Sequence, residues 1–114
     1  MNMYDYIMQR MTNMGYDPKD VVIEAKAIEV SASGYPTTTL LHESNNYYYL
    51  YDCQSYTNAW TIESDISHTT NSEFIVNSQV PMGIIEMTGN IKITVSAANT
   101  FLFYKVFTGK LINS

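Results

Sequence analysis

From Thr37 to Phe107 the chain delivers β-branched and aromatic residues in runs of five to eight, broken by Asn, Ser, Gly and Pro at about ten-residue intervals. Runs this short, punctuated at this spacing, specify an antiparallel sheet. They place strands near 37–41, 46–53, 59–66, 73–77, 83–88, 90–96 and 101–107. About seven short strands predict a mainly β fold, a compact antiparallel β-sandwich of jelly-roll or immunoglobulin-like type. Gly89-Asn90 predicts a two-residue turn joining Ile84–Thr88 to Ile91–Ser96, because the dipeptide readily supplies positive φ angles. Along the second of these strands Ile91, Ile93 and Val95 point one way and Lys92, Thr94 and Ser96 the other, the pattern of a half-buried strand.

The first third of the chain has a different period. Met3, Ile7, Met11 and Met14 form one apolar helical stripe, and Gly15 stands where a left-handed cap ends a helix, which predicts a helix over 3–14. Asp17-Pro18-Lys19-Asp20 reads as a second helix start, with Asp17 capping and Pro18 at the first turn. Val21, Ala25, Ile28 and Ala32 continue at helical spacing, so 18–32 leans to helix, with a strand as the competing reading because Val21-Val22-Ile23 is β-branched and Ile28 and Val30 alternate. The expected organisation is an N-terminal helical segment over 1–36, packed beside the sheet or reaching out as an arm, and a sandwich over 37–114, forming one compact unit overall.

Charge narrows the function classes. The chain carries 6 basic and 11 acidic residues, a formal net charge of −5, and only 15% charged residues. Five lysines and Arg10 are scattered, leaving no basic stripe for phosphates, so nucleic acid is not an expected partner. No apolar run approaches the roughly 18 residues of a membrane helix, and Met1-Asn2-Met3-Tyr4-Asp5 lacks the basic and apolar regions of a secretory signal. Cys53 is the only cysteine, so no intrachain disulfide forms, and no Asn opens a glycosylation site.

No constellation assembles catalytic machinery. His42, Cys53 and His68 are separated by 11 and 15 residues, which matches no close Cys/His zinc pairing, so neither metal nor cofactor is expected. Cys53 ends an aromatic strand with no basic neighbour to make it a nucleophile. Glu63 and Asp65 share a face of the 59–66 strand opposite Trp60, Ile62 and Ile66, and read as the solvated side rather than a glycosidase pair. The expectation is a protein that is not an enzyme.

Aromatic and methionine-rich faces are the remaining signal. In an extended chain Tyr47, Tyr49 and Tyr51 line one side, with Tyr48, Leu50 and Asp52 on the other. Such a row can pack a core, meet another protein, or stack on sugar rings together with Tyr56 and Trp60. Phe101, Phe103 and Phe107 oppose Leu102, Tyr104 and Val106, so this strand wants burial on both faces, in a sandwich centre or at a subunit interface. The helical stripe packs on its own sheet or docks on a neighbour. Ile7, Met11, Met14, Tyr47, Tyr49, Tyr51, Trp60, Phe101 and Phe103 are the candidate interface residues.

Weak charge, many Asn, Thr and Tyr, no disulfide and a compact sheet over about 37–107 give a chain that resembles, in overall character, the β-sandwich decoration and auxiliary proteins of tailed-bacteriophage capsids and necks. The resemblance implies a non-enzymatic virion component, assembled in the bacterial cytoplasm and bound to other virion proteins or to itself as a homo-oligomer through multivalent contacts. The rival reading is a carbohydrate-binding module that uses the tyrosine row or Trp60 as its platform.

Overall fold

The computed structural model describes residues 2–31, 34, 36–71, 84–109 and 111. Among these residues one helix, α1 (Met3–Asn13), precedes six strands: β1 (Val22–Val30), β2 (Thr37–Cys53), β3 (Trp60–Glu63), β4 (His68–Thr70), β5 (Ile85–Val95) and β6 (Asn99–Phe107). The strands form one antiparallel sheet in the order β1-β6-β2-β5-β3-β4. The expected mainly β fold with an N-terminal helix is what the chain adopts. The strand expected at 73–77 lies outside the described residues.

The helix begins and ends as the sequence dictates. Asn2 caps it by accepting the Asp5 N–H at 2.8 Å. At the other end Gly15, at φ 99°, donates to the Thr12 carbonyl and Tyr16 donates to that of Met11, so two of the last carbonyls are satisfied in a Schellman turn.

Residues 18–32, expected to be helical, are instead largely the edge strand β1. All nine of its residues pair with β6, from Val22 opposite Phe107 to Val30 opposite Asn99. Alternation decides the matter: Ile28 and Val30 reach one core of the sheet while Ile23 reaches the other. The helical spacing of Val21, Ala25 and Ile28 is incidental to that period-two pattern.

The hairpin expected at Gly89-Asn90 does not form; β5 runs straight through both residues. Gly89 does adopt positive φ, 77°, but uses it in an irregularity of the ladder. Opposite it, β2 steps from Glu43, paired with Gly89, to Tyr47, paired with Thr88, so three extra residues of β2 bulge out. The Asp65 carboxylate takes the space of a side chain at Gly89, where a Cβ would lie 1.9 Å from its Oδ2. The same oxygen accepts the Asn90 N–H at 3.2 Å. The separate strands expected at 37–41 and 46–53 are likewise one strand, β2, carried across that bulge.

The sheet is strongly coiled. β2 and β5 separate β6 from β3, a spacing of about 14 Å in a flat sheet. Yet the rings of Trp60 on β3 and Phe101 on β6 meet edge to face with centroids 5.3 Å apart. The sheet closes over a core of Val30, Tyr48, Leu50, Ile62, Met87, Ile91, Ile93, Phe101 and Phe103, doing within one sheet what a sandwich does with two. Its other face carries the helix, where Ile7 and Met11 pack on Tyr49 and Val106.

Candidate functional site

The aromatic rows of β2 and β6 supply these two cores. Tyr48 lies in the closed core, edge to face with Phe103 at 5.7 Å, while Tyr49 is fully buried beneath α1. Ile7, Met11, Tyr49, Trp60, Phe101 and Phe103, six of the candidate interface residues, are therefore buried within the chain that bears them. β6 is central, between β1 and β2, which is why it needs apolar residues on both faces. Met14, Tyr47 and Tyr51 are half-buried around the helix-bearing face. Tyr47 meets Tyr16 edge to face, and Tyr51 stacks on Tyr104 at 4.6 Å. Burial first, and then the hydrogen bond to Tyr16, push Tyr47 up to about 12, while burial followed by the Tyr104 and Asp52 charges raises Tyr51.

Beneath the helix lies a polar junction. Arg10 donates from Nε and Nη2 to the two oxygens of Glu86, at 2.9 and 3.1 Å, and the Tyr49 hydroxyl donates to Glu86 Oε2 at 2.7 Å. Burial pushes the Glu86 carboxyl up, but the bonds from Arg10 and Tyr49 and the Arg10 charge outweigh it and hold the group below its ordinary value. Tyr49 is raised by burial, by its bond to Glu86 and by the Glu86 charge. Sequence reasoning passed over this junction. Its signal was a lone carboxylate inside the apolar run Ile84-Ile85-Glu86-Met87, together with the only arginine in the chain.

The candidate chemistry stays dispersed. The Cys53 thiol is buried and donates to the Ser55 carbonyl at 3.2 Å; burial and then the Asp52 charge raise it, which disfavours the thiolate. Asp52 also accepts the Tyr56 hydroxyl, a bond that, with burial next, pushes Tyr56 up to about 12. Glu63 ends β3 beside Lys92 and His68, whereas Asp65 sits in the following bend over Gly89, so the two carboxylates do not share a strand face. His42 is in β2 opposite Asn90 and His68 is in β4, so the soft ligands are dispersed over the sheet. Among the described residues no three His, Cys, Asp or Glu converge as metal ligands, and no described helix is long and apolar enough to cross a membrane. A cleft of about 410 Å³ between Pro36, Trp60, Asn71 and Ser96 is lined, among the described residues, by no titratable group. Its Asn71 amide is already engaged with the Tyr56 carbonyl and the Trp60 N–H.

What the fold leaves outside is an edge. β1 ends the sheet, and Glu24, Ala25, Lys26 and Ala27 are exposed along it. At its start Val22 is 57% exposed and faces Phe107, 50% exposed, across the β1–β6 pair. Leu111, near Gly15, is also exposed. No family model, curated protein or solved structure matches this chain at a significant level.

Proposed function

We propose that this chain is a non-enzymatic assembly protein, a virion component of the decoration or auxiliary kind that it resembles in character, acting through protein–protein contacts along the β1–β6 edge. The observation that carries the reading is the exposed pair Val22 and Phe107 at the end of an edge strand whose outer side is paired with no strand among the described residues. Cross-strand neighbours of this size, each about half exposed, gain about 1 kcal/mol apiece when another surface covers them. Repetition over a symmetric shell multiplies so small a gain. The carbohydrate rival receives less support, since Tyr49 and Trp60 lie under α1 and against Phe101 respectively. Density-gradient banding with assembled virus particles tests the proposal. The chain is expected to co-band at a fixed copy ratio and to leave the band when Val22 and Phe107 are both replaced by Ser. A chain that stays at the top of the gradient and binds a defined glycan overturns it.

A further inference from the structure

The edge strand carries its own complement. β1 reads Val22-Ile23-Glu24-Ala25-Lys26-Ala27-Ile28-Glu29-Val30, and its outer edge is paired with no strand among the described residues. In a two-fold antiparallel pair the residues opposite one another lie on the same face, so one residue must face its own copy at the axis. Centring on Lys26 opposes two lysines, and centring on Glu24 opposes two glutamates. Centring on Ala27 sets Lys26 against Ile28 and Glu24 against Val30. Centring on Ala25 alone among these places Glu24 opposite Lys26 of the second copy, twice by symmetry, with Val22 opposite Ile28 and Ile23 opposite Ala27.

We propose that the chain dimerises through this edge, β1 pairing antiparallel with β1 of a second copy about Ala25 to make one continuous sheet. Deepening the assembly reading, the proposal names the partner of the same edge. The register joins the rows on either side of the axis. Phe107 and Val22 are neighbours on β6 and β1, as are Ile28 and Phe101. The dimer aligns Phe107 and Val22 of one copy with Ile28 and Phe101 of the other, covering the exposed end of each. Glu24, opposite Lys105 within its own chain, gains the second copy's Lys26 on its other side. Charges on an edge strand ordinarily deter pairing. Here they select a single register, because sliding by one residue at the axis in either direction opposes like charges.

Cysteine scanning of the full chain tests the register. Two residues facing each other across an antiparallel ladder have Cα atoms about 4.5–5.5 Å apart, within disulfide reach. Ala25→Cys is therefore expected to form a disulfide dimer on a non-reducing gel after mild oxidation. Ala27→Cys, displaced from its copy by about 14 Å, is expected to form none. Cys53 is buried, so the parent chain provides the uncrosslinked control. Glu24→Lys or Lys26→Glu alone is expected to weaken dimerisation on the order of tenfold, and the two together to restore it, each at unchanged circular dichroism. Equal cross-linking at both positions, no rescue by the double charge swap, or a monomer by sedimentation velocity at the highest soluble concentration overturns the proposal. A monomer that still bands with particles removes the self-pairing and leaves the assembly reading standing. A dimer in this register that never bands with particles does the reverse.

Discussion

Replacing Tyr49 by Phe isolates one bond at the junction of helix and sheet. The ring is fully buried, so Phe fills the same volume, and the only loss is the hydroxyl donated to Glu86 Oε2 at 2.7 Å. A hydrogen bond to a charged acceptor contributes about 1.5–3 kcal/mol. The lower end applies because Oε2 still accepts Arg10 Nε and Glu86 remains 20% exposed to water. A loss of about 1.5 kcal/mol lowers the melting temperature of a chain this size by about 6 °C. The loss depends on pH. The folded-state carboxyl of Glu86 lies below its ordinary value, so its stabilisation is fully present above about pH 4.3 and is lost as pH falls through the lower folded value. Below that point the bond joins two neutral groups, and the gap between parent and variant narrows to about 1 kcal/mol or less. Urea titrations of both chains at neutral pH and near pH 3 provide the assay. A variant as stable as the parent at neutral pH, or a gap that widens in acid, would refute the assigned role of Glu86.

Arg10→Ala removes two bonds to Glu86, but the guanidinium side chain is 45% exposed; solvent screening reduces the expected loss to about 1 kcal/mol, read as a urea midpoint shift. Gly89→Ala is expected to cost about 3 kcal/mol, since φ is 77° and the new methyl meets the Asp65 carboxylate, and adding Asp65→Ala should recover part of it in thermal melts. Met11→Ala, which opens a cavity between α1 and the sheet, is expected to cost about 2–4 kcal/mol and to expose the helix-bearing face to a hydrophobic dye. Cys53 should label slowly with a thiol reagent in the native chain and rapidly in denaturant, because the thiol is buried and its ionisation is disfavoured.

Much of the fold was legible because burial writes its period into a strand. The alternation of Phe101 and Phe103 against Leu102, Tyr104 and Val106 foretold burial on both faces of β6, and both faces meet a core. The helix stripe and its Gly15 cap were equally plain, since each is local. Misreadings arose where one residue type serves two geometries. Gly89-Asn90 supplies the positive φ of either a turn or a bulge, and the choice rested on Asp65, distant in sequence, seated over Gly89. Val21, Ala25 and Ile28 recur at helical spacing, and it is the pairing of residues 22–30 with β6, distant in sequence, that holds them as a strand. The candidate interface residues were chosen for aromatic character, which a closed core demands as strongly as a partner does. The exposed edge is legible only once strand order is known, because nothing local marks β1 as outermost.

That an edge strand is also the first of the described strands sets the timetable of folding. β1 waits for β6, almost eighty positions later, before its inner ladder can zip. A nascent polypeptide therefore presents both edges of β1 as bare backbone until β6 has emerged from the ribosome. Deleting β6 would leave β1 without its ladder partner, so a late segment of the chain guards the solubility of an early one.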